Sequence, residues 1–96
     1  MSNYWTFWLM SMLTGLQIRA ARSALRWSVS DLADRTEIAS KTISRIETHD
    51  GLPDSKLSTI VKIKSTLEAA GIEFIGSPGD APGIRIHPQG QAEEDT

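Results

Sequence analysis

The sequence predicts a mainly α fold: a compact helical bundle containing a helix-turn-helix, followed by two short C-terminal β-strands. Three observations predict it. Apolar residues recur at helical spacing along residues 14–71. Two of the helices so marked are separated only by Glu37-Ile38-Ala39. Near the C-terminus, two isoleucine-containing runs flank a segment rich in proline and glycine.

A chain of 96 residues is one domain's worth of material. Residues 1–13 hold Tyr4, Trp5, Phe7 and Trp8, four of the six aromatics. This apolar run, about ten residues long, is too short to cross a bilayer core of roughly 30 Å. It also lacks the basic start and cleavage site of a signal peptide, so it is expected to be an apolar N-terminal extension.

In the first helix, Thr14 to Leu25, Ile18, Ala21 and Leu25 form one stripe at i, i+3 and i+7. Ser28-Val29-Ser30-Asp31 has the spacing of a capping box and starts a second helix through Leu32-Ala33 to about Thr36. A third helix over Ser40 to Thr48 has Ile43 and Ile46 on its inner face. After the turn-rich His49-Asp50-Gly51-Leu52-Pro53, the positions Leu57, Ile60, Ile63, Leu67 and Ala70 mark a fourth helix, with Gly71 at its C-terminal cap. Ile72-Glu73-Phe74-Ile75 and Ile84-Arg85-Ile86 read as strands across Ser77 to Gly83, paired with each other or across a dimer. The domain thus spans 14–71, the strands 72–86, and a polar tail expected to be disordered 87–96.

The net charge is −2, which on average argues against a nucleic-acid partner. The average conceals an asymmetry. From Thr14 to Glu47 six basic residues (Arg19, Arg22, Arg26, Arg35, Lys41, Arg45) face four acidic ones (Asp31, Asp34, Glu37, Glu47), while Glu93-Glu94-Asp95 supply much of the opposing charge. The chain has no cysteine, which excludes disulfides and thiolate chemistry and agrees with a cytoplasmic, nucleoid-associated location. His49 and His87 lie far apart, and no spacing brings together a nucleophile, base and orienting group or a phosphate-cradling glycine loop. No enzyme, cofactor or metal site is expected.

On the third helix Lys41, Ser44, Arg45 and Thr48 share one polar face, opposite Ile43 and Ile46. A solvated surface is the ordinary explanation of such a face. The short helix before it changes the expectation, because this arrangement projects the second helix outward into a major groove about 12 Å wide. Lys41 and Arg45 suit guanine O6 and N7, and Ser44 and Thr48 suit a base edge or phosphate. Two charges also fall on apolar stripes: Arg22 is i+4 from Ile18, and Glu47 is i+4 from Ile43. They are expected to form a buried ion pair between the first and third helices, the alternative being that one snorkels outward.

With these residues the chain resembles the Cro/CI-type, Xre-like helix-turn-helix family, whose members are lambda-repressor-like bundles of four to five helices that bind operator DNA, commonly as dimers. The resemblance runs from Gln17 to Gly71 through Ile18-Arg19-Ala20-Ala21-Arg22, Leu32-Ala33, Thr42-Ile43-Ser44-Arg45-Ile46-Glu47 and Pro53. It implies a transcriptional regulator of repressor type, with Ser40, Lys41 and Arg45 as base readers and Ser44 beside them. It further implies phosphate contacts from Ser28, Val29, Thr42, Thr48 and His49, and a structural ion pair between Arg22 and Glu47.

Four departures bear on this. Val29 stands where many members have a glutamine, leaving only backbone amides for phosphate. Glu37 holds the usual turn glycine's place, so strain or a different turn is expected. Ala39 holds the place of a Ser or Thr cap, so Ser40 is a candidate cap instead. The loop Asp50-Gly51-Leu52 is acidic where relatives are basic. Weak monomer binding to double-stranded DNA is therefore expected, rescued by a homodimer spanning a palindromic site. The dimer would form through the C-terminal strands, which are favoured, or through the aromatic N-terminus. The alternative function is an antitoxin-like protein-interaction module in which DNA binding is secondary.

Overall fold

The computed structural model describes residues 12–88. In order along the chain they form α1 (Gly15–Ala24), α2 (Val29–Thr36), α3 (Ser40–Glu47), α4 (Leu57–Ala69), β1 (Ile72–Ser77) and β2 (Asp80–Ile86). The protein is thus a small domain of four described helices and a two-stranded antiparallel sheet.

Local chemistry sets most of the boundaries. Thr14 and Gln17 form a reciprocal capping box at the start of α1, as Ser28 and Asp31 do at the start of α2. The end of α1 is a Schellman closure, with Trp27 N–H donating to Arg22 O and Arg26 N–H to Ser23 O, each at 3.0 Å. It places Arg26 at φ 61°, a left-handed conformation that costs a non-glycine residue about 1 kcal/mol. The expected strain at the next turn is also present: Glu37 lies at φ 60°, ψ 30°.

The core gathers one face from each helix and the first residue of β1. Ile18, Ala21, Leu32, Ile43, Ile46, Ile60, Ile63 and Leu67 are buried, as the helical periodicity predicts, and Ile72 joins them. Leu13, read from sequence as the end of the extension, is also a core residue. The rest of the extension, residues 1–11, and the tail from 89 onward lie outside the described residues.

The strands pair with each other within the chain, in the register Ile72↔Ile86, Phe74↔Ile84 and Ser77↔Asp80. They are longer than expected, because Gly76, Ser77 and Asp80 to Gly83 belong to them and only Pro78-Gly79 form the turn. Residues that look like loop formers are absorbed by an irregularity between Ile75 and Ser77, where Gly76 takes φ 76°. The buried Gln17 side chain fastens this hairpin to α1 by donating to Gly83 O at 2.9 Å and Ile75 O at 3.3 Å.

Candidate nucleic-acid interface

Ile43 and Ile46 seat α3 in the core, and polar contacts with α1 fix its C-terminal end. Glu47 is buried, and its carboxylate takes two hydrogen bonds from Arg22 on α1, Nε to Oε2 at 2.8 Å and Nη2 to Oε1 at 2.9 Å. Arg22 Nη1 donates to Trp27 O at 2.8 Å, so all three guanidinium nitrogens are used. The hydrogen-bonded carboxylate holds Arg22 above its ordinary pKa against the opposing effect of burial. The ion pair expected from sequence is therefore present, and neither partner snorkels away.

Gly15 brings the start of α1 against the same end of α3. A Cβ there would land on the backbone carbonyl oxygens of Ile46 and His49. Gly15 N–H donates to Gly51 O at 3.0 Å, and Arg19 Nη1 donates to Glu47 O at 3.1 Å. Donors from α1 thus meet the carbonyl end of α3, where positive groups are favoured.

The polar face of α3 points outward. Ser40, Lys41, Ser44, Arg45 and Thr48 are exposed, whereas Thr42 and His49 are half-buried. Some of these groups are already engaged. Arg45 Nη1 donates to the Asp54 carbonyl at 3.0 Å, folding this side chain onto the loop. Thr48 Oγ1 donates to Arg45 O at 2.6 Å, and His49 Nδ1 donates to the same oxygen at 3.0 Å. These two side chains close their own helix end.

At the other end of α3, Ala39 is the N-cap and provides no side-chain hydrogen bond. Ser40 is the first helical residue and not the cap, so its hydroxyl is not spent on its own backbone in the manner the missing cap suggested. Ser40 and Lys41 therefore stand at an open, positively polarised helix start.

The start of α2 differs. Asp31 Oδ2 accepts from Ser28 N–H at 2.8 Å, and Ser28 Oγ accepts from Asp31 N–H at 3.0 Å. The backbone hydrogen bond from Ser28, then its hydroxyl and the charge of Arg35, hold the Asp31 carboxyl below its ordinary pKa. An anion of the chain's own already sits where a phosphate would approach Ser28 and Val29, and the Val29 side chain packs against the core.

Lys56 was not singled out by sequence reasoning. It is the exposed N-cap of α4, and the Arg45 hydrogen bond to Asp54 brings this stretch of loop to the α3 face. The available signal was that Lys56 is the next lysine or arginine after Arg45. A groove of about 800 Å³ lies elsewhere, lined by Leu25, Trp27, Arg35, Ser65, Thr66, Ala69 and Ala70. Among the described residues Arg35 is its one ionisable lining residue, stacked 4.1 Å from the Trp27 ring centre, so these residues bring no acid–base pair to the groove.

No family model, curated protein or solved structure matches the chain. Among the described residues no helix is long and apolar enough to cross a membrane.

Proposed function

We propose that this protein is a sequence-specific DNA-binding transcriptional regulator of repressor type, with a lambda-repressor-like helix-turn-helix that inserts α3 into the major groove. The observation that carries the reading is α3 itself: a short helix pinned by Arg22 and Gly15 at its C-terminal end, with Ser40, Lys41, Ser44 and Arg45 on its exposed face. Lys41 and Arg45 donate to base edges in this reading, Ser40 and Ser44 contact base edges, and Lys56 joins the phosphate contacts. Because few cations face the backbone, binding requires a homodimer that places two α3 helices about 34–36 Å apart on a palindromic operator.

The test is a fluorescence-anisotropy titration of labelled duplex over a salt series. Affinity should fall steeply with salt and fall further in Lys41→Ala and Arg45→Ala. Binding that is absent, or indifferent to salt and both substitutions, overturns the reading. Selection from a random duplex pool should return a palindrome if the acting species is a dimer.

A second reading, an antitoxin-like protein-interaction module, is favoured by one feature: acidic or self-engaged groups stand at several phosphate positions, Asp31 against Ser28 foremost. It predicts capture of a protein partner by a variant that has lost Lys41 and Arg45.

A further inference from the structure

Arg45 does not stand alone on the α3 face. Its guanidinium donates to the backbone carbonyl of Asp54 at 3.0 Å, and covalent geometry keeps the Asp54 carboxylate within a few ångströms of that oxygen. Asp54 is exposed and, among the described residues, makes no ion pair. Asp50, the other acid of this loop, differs in being paired with Arg19 at 3.5 Å. An unneutralised anion therefore stands beside a proposed base-reading cation, where an approaching duplex brings a row of phosphates.

We infer that Asp54 attenuates sequence-independent DNA binding, its carboxylate repelling the phosphate backbone while its backbone carbonyl keeps Arg45 on the loop until a base edge draws it away. This rests on the DNA-binding reading above. Sequence-independent affinity is almost wholly electrostatic, so one misplaced anion acts on all of it. Contacts to base edges are short-range and directional, and a site that supplies them recovers the loss. A repulsive element of this kind widens the gap between right and wrong sites.

The experiment titrates the full chain against labelled random-sequence duplex across a salt series, using wild type, Asp54→Asn, Asp54→Glu and Asp80→Asn. Asp54→Asn keeps the backbone acceptor of Arg45 and removes only the charge. It should bind about threefold more tightly at low salt, the effect of one unit charge about 6 Å from a phosphate in water. The gain should shrink as salt rises. Asp54→Glu should match wild type, and so should Asp80→Asn, which removes an equal charge from the hairpin tip. An unchanged Asp54→Asn overturns the inference while wild-type binding leaves the DNA reading intact. An equal gain in Asp80→Asn also overturns it, because the effect is then one of net charge. If neither wild type nor Asp54→Asn binds duplex at the lowest salt, the inference falls together with the DNA reading.

Discussion

The C-terminal end of α3 is held by α1 through both side chain and backbone, whereas its N-terminal end has no side-chain cap. At the first, Arg22 grips the Glu47 carboxylate, Arg19 takes the Glu47 carbonyl, and Gly15 lies against the carbonyls of Ile46 and His49. At the second, Ala39 makes no side-chain hydrogen bond. A helix of eight residues is too short to persist on propensity, so its placement comes from tertiary contacts. With the polar contacts to α1 gathered at one end, the other end's amides, with Ser40 and Lys41, are left for a partner. The start of α2 shows the opposite choice, because its capping box fills that space with Asp31.

The largest expected effect comes from cutting the anchored end. Glu47→Ala should destabilise the fold by about 3–5 kcal/mol, since it strands a largely buried guanidinium. Urea unfolding measures this. Combining Arg22→Met with Glu47→Leu should recover most of the loss, because a pair of apolar side chains leaves no uncompensated charge. A double variant as weak as Glu47→Ala would mean that the stranded charge is not the source of the loss. Gly15→Ala should cost up to about 3 kcal/mol in the same assay, because the added methyl meets backbone oxygens that have little room to yield. A loss below about 0.5 kcal/mol would show that α1 and α3 separate more readily than this contact implies.

Sequence and structure agree where a feature is local or where a charge breaks a pattern. Arg22 and Glu47 were legible because each sits four residues from an isoleucine on an apolar stripe, and burial of one demands the other. The Ser28 and Asp31 box was legible because both partners lie within one helical turn. Gly15 was harder: its reason lies in the carbonyls of a helix some thirty residues away, and the one local hint is a glycine placed in a helix against its propensity. The strand ends were misjudged because Gly76 and Pro82 resemble turn residues, while the backbone irregularity that accommodates them depends on cross-strand pairing. The tie between Arg45 and Asp54 depends on the path of the loop after α3, which no periodicity encodes.

A smaller effect tests the open end. Ala39 has the extended backbone of an N-cap, φ −59° and ψ 139°, and lacks only the side-chain acceptor. Ala39→Ser should therefore stabilise the domain by about 1 kcal/mol in thermal or urea unfolding. Ala39→Asp should stabilise it by a similar amount while weakening duplex binding, because it adds a carboxylate to the first turn of α3, as Asp31 does to that of α2. If both variants leave stability unchanged, the first turn of α3 is already satisfied and the contrast between its ends is weaker than the geometry implies.

The smallest effect separates α2 from α3 by pH. The Asp31 carboxyl has its pKa lowered from 3.8, first by the Ser28 backbone hydrogen bond and then by the Ser28 hydroxyl and Arg35. A carboxyl whose folded value is depressed contributes stability that is present above its unfolded value and disappears as pH falls through the folded one. The α2 cap is therefore fully present above the ordinary carboxyl value of 3.8 and is lost as pH falls through the lower value of the folded state. Glu73, on β1, follows the same sign from 4.5, lowered first by its hydrogen bond from His87, so acid also loosens the hairpin. Both groups are exposed, and overall stability should decline only gently. Amide exchange corrected for intrinsic rates locates the loss: protection of Ser28 N–H should fall as pH drops below 3.8, and Asp31→Asn should abolish that pH dependence. The first amides of α3, which among the described residues make no hydrogen bond to a side-chain carboxylate, should exchange with the same low protection throughout the range. If acid changed protection at Ser40 and Lys41 in step with Ser28, the two helix starts would open as one unit, and the difference drawn between them would fail.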